Sequence, residues 1–398
     1  MTATRTIGSI ATFRKGSGLA KSDLVADGAH PCIHYGELFT RYGAVIDVVL
    51  SRTGRDLPVK SEVGDVLMPT SDVTPRGLAK ASAIQIADVG LGGDVLIIRP
   101  DHAKADSRFL AYVIRYSVNR VLKLVRGSTV YHLYAADMRH FELPSLPLAE
   151  QARVADALKD SDDLIDSLER MITKKQAIKQ GMMQELLTGR TRLPGFSMPW
   201  RTKTLDAVSD INPETIPAAT SPSQMIDYIS LEDVSRGQIL ASSRVEFGNA
   251  PSRARRAVRP LDVLFGTVRP NLQSHGLYRG GLRKPVVSTG FAVIRARSGL
   301  ADPQFLFCLV MSSLTSSQVE RIIAGSNYPA VSSRDVRMFE YLLPEITEQE
   351  AIGAVLADAE AELAVLHARL QKARAVKQGM MQELLTGRTR LPVREAVA

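Results

Sequence analysis

From Glu150 to Thr188 the chain contains no proline and a single glycine, Gly181, and apolar or small residues return at steps of three and four. They fall at Val154, Leu158, Ser161, Ile165, Leu168 and Ile172. The run Ile352, Leu356, Ala359, Leu363, Leu366 and Leu370 repeats the pattern later in the chain. Such spacing follows one stripe of an α-helix and predicts two helices of about 39 residues, each ~58 Å long. The next steps of the stripe fall on Lys175 and Lys179, and on Ala373 and Lys377, so the seam weakens there. Thr347 and Glu350 form a capping-box pattern at the second start, with Ala149 in the place of that threonine at the first. Gly189 and Gly387 follow the last periodic leucines and suit left-handed C′ positions. A lone helix cannot hide such a seam, and the nearest complementary surface is its own copy. Antiparallel pairing of the two helices is the expectation.

Outside these helices the periodicity changes. Asp94–Ile98 and Val263–Phe265 are strand-like, whereas residues 108–125 and 304–323 read as amphipathic helices, each followed by Gly-Ser. Loops rich in Gly, Pro, Ser and Thr fill the intervals. The expected fold class is α+β. Two mixed α/β domains are separated by two long helices packed as an antiparallel coiled coil. The expected boundaries are 1–147, a helical segment 148–194, a second domain 195–345, a second helical segment 346–393 and a tail 394–398.

This order arises from duplication. Lys179–Pro194 and Lys377–Pro392 both read KQGMMQELLTGRTRLP, an offset of 198 residues (377 − 179). The same offset relates Glu150-Gln151 to Glu348-Gln349, and Asp137–Glu142 to Asp335–Glu340. Upstream it slips by one or two residues, with Asp65-Val66-Leu67 facing Asp262-Val263-Leu264. Each half is a variable segment followed by a near-constant one, a pseudo-two-fold internal repeat. Such a chain suits a partner that is itself two-fold or built of two half-sites.

The chain has 398 residues and a formal net charge of +8, which points to a polyanionic partner, nucleic acid first. Its two cysteines make no disulfide framework. With no signal-like N-terminus and no apolar run of membrane length, a cytoplasmic location without membrane contact is expected. Walker-type GxxxxGK[ST], the Asn-Pro-Pro-aromatic tetrapeptide of amino-methyltransferases, GxGxxG and metal-ligand spacings are all missing from the sequence. A catalytic site within the chain is not expected.

Polar loops carry the candidate chemistry. Arg253, Arg255, Arg256 and Arg259 cluster within seven residues and suit phosphate contact. Arg269, Asn271, Gln273 and His275 alternate after a strand, which on an extended backbone would present them on one face. Arg reads guanine, and Asn or Gln reads adenine. The first half offers Ser71, Asp72 and Arg76 instead. Thr129, Tyr131 and His132 after one Gly-Ser, and Asn327 and Tyr328 after the other, form a second pair of loops. Tyr35, Glu37 and Arg41 are weaker candidates. A solvated face or an ordinary turn remains the alternative for each group. Met182, Met183, Met380 and Met381 suit either core packing or partner docking.

The variable–constant–variable–constant order resembles the specificity (S) subunit of type I restriction-modification systems. The residues carrying this resemblance are Pro147–Gln151, Thr347–Gln349, the Gly-Asp-Val-Leu stretch at Gly64, the Gly-Ser loops, the Leu-Leu-Thr-Gly helix ends and Trp200. It implies two target recognition domains reading the halves of a split double-stranded DNA sequence, with paired helices setting the spacer. It also implies docking of two methyltransferase (M) subunits and of restriction (R) subunits. S-adenosylmethionine, ATP and Mg would then reside on those partners, and the S subunit would hold no cofactor or metal. The first half lacks a counterpart of Trp200. A stand-alone DNA-binding regulator and a coiled-coil adaptor are the competing readings.

Overall fold

The two apolar stripes lie on helices of 39 residues, Leu148–Leu186 and Ile346–Leu384. In this computed structural model, residues 4–217, 219–324 and 329–391 are described. Asn327, Tyr328 and the tail 394–398 lie outside the described residues. The second helix starts at Ile346, so Thr347 sits inside its first turn and not at an N-cap. The amides of Glu348 and Gln349 already bond to the Glu345 carbonyl, which places the cap earlier. Gly189 and Gly387 take φ of 70° and 69°, the left-handed exit that L side chains avoid.

The chain divides into two compact units, Met1–Glu169 with Ala368–Ala398, and Arg170–His367. In the first unit, the central sheet runs in the order Ala11–Lys15, Val95–Pro100, Val66–Pro69, Ser82–Ile84, Val45–Ile46. In the second, the order is Ser209–Ile211, Phe291–Ala296, Val263–Gly266, His275–Leu277. The first four strands of one sheet match those of the other in order and in antiparallel pairing. A terminal ribbon is also duplicated, Thr4–Thr6 with Glu142–Pro144 and Arg201–Thr204 with Glu340–Leu343. The additional sheets differ. The first unit has Arg52–Thr53, His30–Ile33 and Gly90–Leu91, whereas the second has Ser243–Glu246, Met225–Ile229, Pro285–Ser288 and Ala254–Ala257.

The amphipathic stretches after the central strands are each broken in two, where continuous periodicity predicts one helix. Ser107–Tyr116 and Val118–Leu122 are parted by Ser117 at ψ 39°, and Pro303–Val310 and Ser313–Ile323 by Met311 and Ser312. Ser312 Oγ donates to the Leu309 carbonyl at 2.7 Å, a local bond that competes with helix continuation.

Each core is completed by both long helices. In the first unit Phe109, Leu110, Met68 and Ile98 pack with Val154 and Leu158 of the first helix and with Leu384 and Leu385 from the end of the second. In the second unit Phe265, Phe305 and Phe339 pack with Ile352, Leu356, Leu186 and Leu187. Burying one such leucine is worth about 1.5–3 kcal/mol.

A buried glutamine ties each helix start to its domain. Gln151 Oε1 accepts the Asp106 amide at 3.1 Å, and its Nε2 donates to the Leu146 carbonyl at 2.8 Å. Gln349 does the same with the Asp302 amide at 3.2 Å and the Pro344 carbonyl at 3.0 Å. Asp106 and Asp302 are themselves the N-caps of the domain helices. Replacing either glutamine by alanine strands a donor and an acceptor. Gln151→Ala and Gln349→Ala should each destabilise their own unit by about 2–3 kcal/mol in denaturant unfolding. The exposed control Gln176→Ala should change it by less than ~0.5 kcal/mol.

Candidate nucleic-acid interface

In the first unit, residues some sixty positions apart in sequence form one short ribbon. Ser71 pairs with His132 and Asp72 with Tyr131. The second strand is supplied by a hairpin pinched by mutual backbone bonds between Arg126 and His132, at 2.9 and 2.7 Å. Gly127 turns that hairpin at φ 110°, and a Cβ there would sit 2.2 Å from the Val130 oxygen. Thr129 is exposed within the loop. Asp72 turns inward, accepting the Val73 amide at 2.7 Å and the Thr74 hydroxyl at 2.7 Å. Tyr131, across from it, packs against the domain core. His132 faces the other way and stacks on Tyr134, ring centroids 6.1 Å apart. The short 3-10 helix Pro75–Ala79 follows and carries Arg76 into solvent.

The second unit builds the equivalent place differently. The Val331 amide bonds to the Thr267 carbonyl, and the Arg269 amide to the Pro329 carbonyl, both at 2.9 Å. These contacts bring the loop after the central strand against the segment that follows residues 325–328. A short 3-10 helix beginning with proline, Pro270–Leu272, again occupies the turn. This geometry corrects the expectation of an extended alternating face. Arg269 and Gln273 flank the helix with φ of 49° and 55°, because Pro270 presets a helical turn where alternation would require a strand. Left-handed non-glycine residues cost of the order of 1 kcal/mol and concentrate at functional loops. Arg269 and Asn271 are exposed, and Gln273 is half-buried. His275 is core: it stacks on Phe265 at 4.4 Å, and its Nδ1 accepts the Gly266 amide at 3.0 Å.

The arginine cluster separates on folding. Arg253 is exposed. Arg255 lies 4.8 Å over the Phe247 ring and donates to the Ala254 carbonyl. Arg256 is half-buried with a sheltered Nη1 that has no partner, and burial lowers its pKa. Arg259 pairs with Glu214 at 2.5 Å, which also holds Arg295. Of the weaker candidates, Glu37 is a buried hub that accepts the Ser51 hydroxyl at 2.5 Å, the His34 amide at 3.0 Å and Arg41 at 3.2 Å. That arrangement gives it a structural role.

Within each unit the long helices run antiparallel, since partner numbers fall as positions rise. The first unit has Asp162 with Lys377, Glu169 with Arg374 and Glu150 with Arg390. The second has Lys175 with Glu362, Lys179 with Glu360 and Arg192 with Glu348. The lysines that interrupt the apolar seam therefore reach carboxylates on the facing helix. Burial lowers the Lys179 pKa. Glu348 accepts Arg192 at 2.5 and 2.6 Å and the Trp200 indole at 3.1 Å, whereas Glu150 meets Arg390 at 3.8 Å. This is the structural consequence of a tryptophan present in one half alone. The sequence signal for these pairs is the repeated Glu-Gln and Arg-Leu-Pro motifs, whose pairing across halves only the fold reveals. Met380 and Met381 are half-buried against the first core, and Met182 and Met183 against the second, so internal packing already uses much of their surface. No group of His, Cys, Asp or Glu among the described residues is arranged to hold a metal ion. No helix among them is long and apolar enough to cross a membrane.

Residues 2–180 match the family model described as type I restriction modification DNA specificity domain. The second half carries the same order of four central strands and a helix of the same length. The chain is similar to type I restriction-modification specificity subunits. A Methanocaldococcus jannaschii protein assigned as the MjaX type I restriction enzyme specificity subunit is 23% identical over 317 residues, 75% of this chain and 72% of the relative. The MjaVIII specificity subunit of the same organism is 21% identical over 303 residues, 72% of this chain and 71% of the relative. The crystal structure of a type I S subunit from M. genitalium shares the fold at TM-score 0.66 and 12% identity, covering 96% of both chains. Members of this family are generally non-catalytic.

Burial pushes the His275 pKa down to about 4. An unfolded histidine titrates near ~6.5. Between these values the unfolded chain binds a proton that the folded one does not. Stability of the second unit should therefore be unaffected above pH ~6.5 and should fall by about 3 kcal/mol as pH drops to ~4. The His275→Asn variant, which keeps an acceptor but does not titrate, should lose this component in pH-dependent unfolding.

Proposed function

We propose that the two units read the two halves of a bipartite double-stranded DNA sequence. The long helices, paired along their length as an antiparallel coiled coil, set the unread spacer between the halves. The observation supporting this reading is the matched loop-and-ribbon site, built on the same sheet order in both units but lined with different side chains. Ser71, Arg76, Thr129 and His132 line one, and Arg269, Asn271 and Gln273 the other. A single scaffold with two side-chain sets is what two unlike half-sites require. Exposed Arg76, Arg253 and Arg269 supply phosphate or base-edge contacts, and the net charge of +8 favours the encounter.

The near-identical helical segments dock two copies of a methyltransferase (M) subunit, because equivalent surfaces suit equivalent partners. S-adenosylmethionine for adenine methylation belongs to those subunits. ATP and Mg belong to restriction (R) subunits. The specificity chain contributes sequence choice and geometry and carries out no chemistry.

The complex with its M subunit should select, from a random duplex library, two fixed sequences separated by a constant gap. Exchange of residues 199–345 for the variable segment of another specificity subunit should change one of the two sequences and leave the other intact. Changes in both would contradict modular reading. Tight specific binding by the isolated chain, with no dependence on an M subunit, would support the stand-alone regulator.

A further inference from the structure

The ribbon of the first unit has an apolar tip. Val73 and Val130 adjoin the last pair of the ladder, Asp72 with Tyr131, one on each strand. Both are exposed, at 72% and 46%. They form bends at the end of the ribbon, which carries Ser71 and His132 next to Asp72 and Tyr131. Tyr134, half exposed, extends that surface through its stack on His132. The two valines lie outside the buried core and leave much of their apolar surface to solvent. A cation stands beside them, Arg76, exposed and without an ion pair or hydrogen bond among the described residues.

We infer that Val73 and Val130 read a thymine C5-methyl group in the major groove of the half-site bound by the first unit. This rests on the DNA-reading function proposed above. The major groove admits a two-stranded ribbon, and the thymine methyl is the one apolar feature among its base edges. The surface around the tip has the chemistry of that groove. Ser71 and His132 offer hydrogen bonds to neighbouring base edges, and Arg76 offers charge to a phosphate or guanine. An apolar protein partner would instead meet a narrow two-valine contact rimmed by polar groups. In the second unit the corresponding turn presents Arg269, Asn271 and an exposed leucine, Leu272, in place of the valines.

The test uses the complete specificity–methyltransferase complex and its selected bipartite duplex. Each thymine of the first half-site is replaced singly by deoxyuridine, which removes the methyl and nothing else. One position should lose about fourfold in affinity, the worth of one buried methyl group. The Val73→Ala/Val130→Ala variant should bind the thymine duplex with the same loss and should no longer distinguish thymine from deoxyuridine at that position. Unchanged thermal unfolding of the variant confirms that the exposed substitutions leave the fold intact. Deoxyuridine in the second half-site should show no coupling to the valines. The inference is overturned by equal affinity at every deoxyuridine position, by a first half-site without thymine, or by a variant that remains sensitive to the methyl. If the valines matter but the methyl does not, the tip is a wedge between base steps and the methyl contact is rejected. Absence of any bipartite target would instead refute the underlying DNA-reading function.

Discussion

Neither variable domain completes its core from its own half of the chain. The first needs Leu384 and Leu385, which end the second repeat, and the second needs Leu186 and Leu187, which end the first. Burial of each pair is worth several kcal/mol, a large share of the net stability of a domain. The antiparallel course of the helix segments within each unit follows from this exchange. So does the identity of the two 16-residue blocks, because each must fit the other half's core, seam and Glu-Gln start. Ion pairs at Lys179–Glu360 and Lys377–Asp162 mark register where the apolar stripe is interrupted. Arg192–Glu348 and Arg390–Glu150 close the far ends.

This constraint separates what can vary from what cannot. The four matched strands, the buried glutamines and the capping aspartates hold a common frame. The turn after the central strand and the hairpin it meets lie outside that frame and differ freely. In the first unit they yield Ser71, His132 and two exposed valines. In the second they yield arginine and asparagine around a proline-started 3-10 turn. A duplicated frame with unlike tips gives an internal repeat two distinct loop surfaces.

The scaffold was legible in the sequence because helices of 39 residues impose a long periodicity, and because a 16-residue repeat leaves little ambiguity. The loops were less so. Pro270 converts an alternating Arg-Asn-Gln-His pattern into a short helix and leaves His275 as a strand residue of the core. A non-helical ψ at Ser117 and a local bond at Ser312 break helices that periodicity alone would continue. Tyr131 and His132 are adjacent in sequence, yet the strand sends one inward and one outward. The arginine cluster looks uniform by composition, but Phe247 and Glu214 engage two of its members. In each case a tertiary partner decides the side chain's direction, and such partners lie outside any local window.

The proposed function depends on one chain presenting two unlike readers. Methylome sequencing of a host carrying only this chain and its methyltransferase subunit tests that claim most directly. The account predicts adenine methylation in a single split sequence, two short specified blocks around an unspecified gap of invariant length. Methylation of an uninterrupted motif, a gap of variable length, or no sequence-specific methylation in the presence of an active M subunit would contradict it.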